Sequence, residues 1–136
     1  MAAIYAQNDA ANEIWDSPAG QDLELIATSI EPSIDNNDSE ILNLAGICSI
    51  REFAGIGTVP WGTRTLDPNE SEQRYIAIAR TLRWIDASIE AGMAFTASAD
   101  NNATTWNQIL SDAQAFIFDL YSRGAFPMNF RAAMIY

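Results

Sequence analysis

The sequence predicts an α/β (α+β) domain: a small mixed sheet covered by two main helices, with extended arms at both ends. Three observations predict it. Thr81 to Ala91 and Trp106 to Tyr121 carry apolar residues at helical spacing. Between and before them lie short β-forming runs punctuated by glycine, proline and asparagine. The length of 136 residues is one domain's worth, and 49% hydrophobic residues are enough to fill a core.

Taken in order, Asp22 to Ile30 alternates apolar and polar residues as a half-buried strand does. Glu31 to Ser39 (EPSIDNNDS) is a loop by composition. Ser39 caps a short helical turn that Gly46 ends, and Ile47 to Arg51 is a short strand. Phe53 to Gly57 turns the chain. Thr58 to Thr65 is a strand that Pro60 pushes to an edge or a bulge, because proline cannot donate to the ladder. Arg74 to Ala79 (RYIAIA) fits either a buried strand or the first turns of a helix. In the helix that follows, Leu82, Ile85 and Ile89 share one face and Gly92 stops it. Met93 to Ser98 reads as a further strand, and Asp100 to Asn102 as a turn.

The strongest helical signal is Trp106, Ile109, Leu110, Ala113, Phe116, Ile117, Leu120 and Tyr121, with Thr104 or Thr105 as cap and Gly124 as stop. Trp84 and Phe118 fall off the stripes of their helices, as a contact surface or a second core layer would. The apolar run Ala132 to Tyr136 is strand-like and needs a pairing partner. The organisation is therefore one domain over 1–136. Residues 1–40 form an acidic N-terminal arm and first strand, 41–126 the core, and 127–136 a C-terminal arm.

Charge excludes several classes of function. Eighteen acids face seven bases, a net charge of −11, which argues against nucleic acid and against anionic membrane surfaces. All seven bases are arginine. Without histidine there is no imidazole base or ligand, and without lysine no Schiff base or phosphate-binding lysine. Cys48 is the single cysteine, so there is no internal disulfide; it sits in an apolar stretch, as a small core residue does. No apolar run approaches the ~20 residues that span a bilayer, and the N-terminus lacks a basic leader. A soluble, non-secreted acidic domain with no cofactor is the expectation. Nine of the acids lie in residues 1–40, which hold no base.

Candidates for chemistry are thin. Asp67 with Glu70, Glu70 with Glu72, and Asp86 with Glu90 are the carboxylate pairs, and a general acid/base role needs such a pair buried in a cleft. Asp35, Asn37 and Ser39 lack the glycine and terminal glutamate of a calcium loop. Gly55-Ile56-Gly57 lacks the third glycine of a dinucleotide fingerprint. Arg80 and Arg83 stand near the start of a helix whose far end carries Asp86 and Glu90, against the preference of the helix dipole. That placement suits an outside partner or local pairing of Arg83 with Asp86.

Residues Ile41 through Leu66 (ILNLAGICSIREFAGIGTVPWGTRTL) resemble the C-terminal domain of contractile tail sheath proteins. The series is leucine-asparagine, glycine-isoleucine, isoleucine-arginine, glycine-x-glycine and tryptophan-glycine-x-arginine-threonine-leucine, in that order. Ile14 to Gly20 is similar to the family's upstream tryptophan and proline-alanine motif. Arg74 to Ile89 is similar to its next strand and helix, and Trp106 to Ala125 to its last long helix. The family covers sheaths of phage tails, R-type bacteriocins and contractile injection systems. Its members carry a large outer domain before this region and further strands after it, so the chain reads as a fragment or as a minimal sheath.

The resemblance implies a structural subunit rather than an enzyme. Such a subunit polymerises around an inner tail tube and contracts to drive it through an envelope. The implied partners are copies of the chain, the tube protein, and baseplate and terminator proteins, with no nucleic acid and no membrane insertion. The place is a virion tail or injection particle assembled in the bacterial cytoplasm. Arms that add strands to a neighbour's sheet link the subunits. The implied inter-subunit strands are Ala2, Ala3, Ile4, Tyr5, Ala6 and Gln7 at one end and Ala132, Ala133, Met134, Ile135 and Tyr136 at the other. Arg80, Arg83, Asp86 and Glu90 are the candidates for tube contact. The alternatives are a non-polymerising terminator or baseplate component, and a small enzyme working with carboxylates alone.

Overall fold

The computed structural model describes residues 2–27, 30–66 and 72–126. The elements in order are α1 (Ala2–Ala11), α2 (Asn36–Leu44), β1 (Ser49–Phe53), β2 (Gly57–Trp61), α3 (Ile76–Gly92) and α4 (Ala103–Ser122), with 3-10 turns at Glu72–Arg74 and Ala94–Ala97. The α/β class holds. Among the described residues the sheet is one antiparallel pair, Ser49 opposite Trp61 through Phe53 opposite Gly57, turned at residues 54–56. The chain divides into two compact units, residues 1–83 and 84–136.

Three expected elements differ. Residues Ala2 to Gln7, expected as a strand, begin the helix α1. Five alanines in Ala2–Ala11 supply helix propensity that the short apolar run does not overcome. Residues 93–98 form a 3-10 turn rather than a strand, closed by Thr96 N donating to Met93 O at 3.0 Å. Among its described residues the Asp22–Ile30 segment makes one isolated bridge, Leu25 to Thr58, so the alternation is present there without a ladder. Arg74 to Ala79 resolves as helix from Ile76 onward.

Capping explains where the helices start. Asp35 Oδ1 accepts the Asp38 amide at 2.8 Å and starts α2 four residues before the expected turn. Ser39, the expected cap, instead lies buried inside the helix. Asn102 Oδ1 accepts the Thr105 amide at 3.0 Å and caps α4, in place of Thr104 or Thr105. Gly46 and Gly124 follow α2 and α4 in the left-handed region, φ 75° and 86°.

In the first unit Ile4, Leu23 and Val59 are buried with Pro18 and Pro60. Asn8, buried on α1, donates to Asp16 O and accepts from Asn12 Nδ2. Arg80 on α3 pairs with Asp9 on α1 and lies over the Tyr5 ring at 5.0 Å. In the second unit Ile85 and Leu120 are buried, and Trp84 packs on Phe116 with ring centroids 5.8 Å apart. Trp84 therefore belongs to the packing of that unit. Trp106 and Leu110, expected in the core, are exposed like Phe118.

Candidate interaction surfaces

The β-hairpin offers one edge. On its outer side β2 is closed over: Gly20 N donates to Pro60 O at 3.1 Å and Leu25 N to Thr58 O at 2.7 Å. Pro60 thus sits on an edge strand, as its missing N–H requires. No described segment bonds its backbone to the other side of β1. An unpaired strand edge is a template for another chain.

Beside the hairpin lies an open cleft of about 610 Å³. The register puts Ser49, Arg51, Phe53 and Trp61 on one face of the pair. Ser49 donates its hydroxyl to Trp61 O at 3.1 Å, so the 3.3 Å contact with Ser39 is donated by Ser39. This chain of two bonds fastens α2 across the hairpin and forms one wall. Arg51 is held on neutral oxygens, Nε on Ile34 O at 3.3 Å and Nη2 on Asn36 Oδ1 at 2.8 Å. Its guanidinium lies 4.9 Å from the Phe53 ring centre and 6.0 Å from that of Trp61. Phe53 and Trp61 themselves pack at 4.9 Å, tilted by 51°.

Arg64 and Tyr75 form the opposite wall, joined by an isolated antiparallel bridge. The Cys48 thiol donates to Arg64 O at 3.3 Å. Gly62 allows this approach: a Cβ there would stand 3.2 Å from Cys48 Cα, at a φ of 119°. The Arg64 guanidinium has no hydrogen bond or ion pair among the described residues. Glu40 is the one carboxylate residue on the described lining.

A second surface is apolar. Trp106, Leu110 and Phe118, each 56–61% exposed, fall with Gln114 on one i, i+4 ridge of α4. Around Gly46, Leu44, Ile47 and Leu66 are also exposed.

Four of the candidates expected at the tube lie on α3. Arg80 is engaged by Asp9, whereas Arg83, Asp86 and Glu90 are exposed on α3. Ala132 to Tyr136 lie outside the described residues, as do Asp67 and Glu70 and the side chain of Glu72. No aspartate or glutamate is buried among the described residues. The cleft went unread in the sequence, although Arg51, Phe53, Trp61 and Arg64 all lie in the 41–66 stretch that carries the family resemblance. The signal was the pair of arginines spaced through an aromatic stretch otherwise short of acids.

No protein-family model and no curated protein matches the chain. Solved structures do. A chain of the anti-feeding prophage (AFP) baseplate, six-fold symmetrised, aligns at a TM-score of 0.84 and 25% identity over 90% of this chain and 34% of its own. A chain of the extracellular contractile injection system PVC sheath in its contracted state aligns at 0.81 and 25%, over 89% and 34%. The AFP baseplate in its contracted state gives 0.82 and 25%, over 94% and 36%. The chain spans about a third of the length of the chains it matches. The likeness supports the resemblance carried by residues 41–66, that of a contractile sheath family member.

Proposed function

We propose that this chain is a sheath-type structural subunit of a contractile injection machine. It joins copies of itself in a helical lattice around an inner tube, and the lattice contracts to drive the tube through a target envelope. The observation that carries the reading is the likeness to AFP and PVC sheath and baseplate chains over 89–94% of this chain. The open edge of β1 supports it, because it is the kind of edge to which a neighbour's arm adds a strand. A contact between two unlike patches does not close and propagates as a filament. In this reading the 127–136 segment serves as an arm, with Ala132 to Tyr136 at its contact, and Ala2, Ala3, Ala6 and Gln7 offer the exposed face of α1 to a neighbour. Arg83, Asp86 and Glu90, exposed on α3, face the tube with Arg80 nearby.

The subunit works without catalysis, in a particle assembled in the host cytoplasm, with tube, terminator and baseplate proteins as partners and no nucleic acid. The carboxylate-enzyme alternative needs two acids buried in one cleft, and the described cleft is lined by one exposed acid.

Negative-stain electron microscopy of the purified chain at moderate salt, with light scattering alongside, tests the reading. Tubes, rings or stacked discs are expected. A monomer at high concentration, both alone and co-expressed with a tube protein, overturns it.

A further inference from the structure

We propose that the arginine cleft beside the hairpin receives the Glu24–Ile26 segment of a second copy, with the Glu24 carboxylate on Arg64 and Ile26 against the Phe53–Trp61 wall. The inference rests on the self-assembly reading for its biological setting, and it stands on its own observations for the contact.

The first observation is an unmatched cation. The chain carries eighteen acids and seven arginines, yet the Arg64 guanidinium meets none of those acids among the described residues. Arg51, in the same cleft, is satisfied only by neutral acceptors. Among the described lining residues two arginines face one carboxylate, Glu40, on an otherwise acidic molecule. The cleft walls combine those charges with the stacked rings of Phe53 and Trp61, so its ligand carries a carboxylate and an apolar group side by side.

The second observation is an unmatched anion of that form on the same unit. Leu25 turns inward, its amide bonded to Thr58 O, which leaves its neighbours Glu24 and Ile26 on the other face. Ile26 is fully exposed, and the exposed Glu24, whose carboxylate lies beside Gly57, has no hydrogen bond or ion pair among the described residues. Side chains two apart on an extended segment stand about 7 Å from each other.

Two measurements test it. In the first, the acetylated, amidated peptide of residues 21–27 is titrated against the intact chain, followed by tryptophan fluorescence. Saturable binding is expected, weakened about tenfold or more by Arg64→Gln in the chain or Glu24→Gln in the peptide, the value of one charge-assisted hydrogen bond. Binding indifferent to Arg64→Gln, or no binding, overturns the inference.

In the second, Arg64→Glu and Glu24→Arg chains, each shown folded by circular dichroism, are assayed for assembly alone and mixed. Each alone is expected to need about tenfold more protein to assemble. The equimolar mixture restores assembly, because every cleft then meets a segment of opposite charge. If the wild-type chain assembles and the variants assemble as well as it does, the contact is wrong while the sheath reading survives. If the wild-type chain does not assemble, the sheath reading fails and the peptide titration alone decides the contact.

Discussion

Cys48 sits where α2 hands over to β1, its thiol on Arg64 O. Burial pushes that thiol up from its ordinary value, against a smaller lowering by the backbone hydrogen bond. Burial likewise raises the Tyr5 hydroxyl, helped by Cys48 and opposed by the Arg80 guanidinium. Both groups hold their protons more tightly folded than unfolded. Their contribution is therefore complete below the unfolded thiol range near pH ~8.5 and is lost as pH rises through the raised folded value. Stability should fall above pH ~8.5, with the thiol acting first and the phenol only from about pH 10. Cys48→Ala should flatten the early part of the fall, read as the urea midpoint between pH 7 and 10; an unchanged slope would remove Cys48 as its cause. Gly46 makes a second residue-scale prediction. A Cβ at its φ of 75° would stand 2.5 Å from Thr65 O, a backbone atom that cannot step aside. Gly46→Ala should cost about 2 kcal/mol or more in denaturant unfolding, beyond the ordinary penalty of a left-handed alanine.

At the scale of elements, helix ends are decided by single side chains. Asn102→Ala should cost about 1 kcal/mol by loss of the α4 cap. Thr104→Ala should cost almost nothing, and thermal unfolding of the two variants separates them. The contrast shows what the sequence could and could not convey. The hairpin, α3 and α4 were legible, because glycine punctuation marks the turn and the helical period repeats over several turns. The caps were legible only to within a few residues, because Asn102 and Thr105 are equally good residues in an equally suitable place. Residues 93–98 misled because a six-residue apolar run has no period to separate strand from 3-10 turn. Ala2–Ala11 misled because its ends were read as pairing strands while its alanine content argued for helix. On α4 the apolar residues exceed what one face can bury. Periodicity placed Trp106 and Leu110 with the core, and the fold leaves them on the outer ridge with Phe118. The cleft was hidden for a different reason: its walls come from α2, the hairpin, residues 62–64 and Tyr75, and only the fold brings Arg51 and Arg64 to one space.

For the whole molecule, two electrostatic effects of opposite sign act on assembly, and salt separates them. Each copy carries −11, so approaching copies repel along their whole surfaces. That repulsion is long-ranged: at 0.01 M salt it reaches about 30 Å, and at 0.15 M about 8 Å. The attraction between Glu24 and Arg64 is short-ranged and partly shielded from solvent once formed, so the same salt weakens it far less. Raising salt from about 10 mM to 150 mM should therefore lower the protein concentration at which light scattering first rises. Removing acids that do not line the cleft should do the same at low salt: Asp112→Asn with Asp119→Asn, both on α4, should bring the low-salt onset toward the high-salt one. The Glu24→Gln chain should respond in the opposite sense, losing one negative charge yet assembling less well at every salt. If instead salt dissolves the assemblies, exposed ion pairs between copies outweigh the net charge, and the repulsion account of assembly fails.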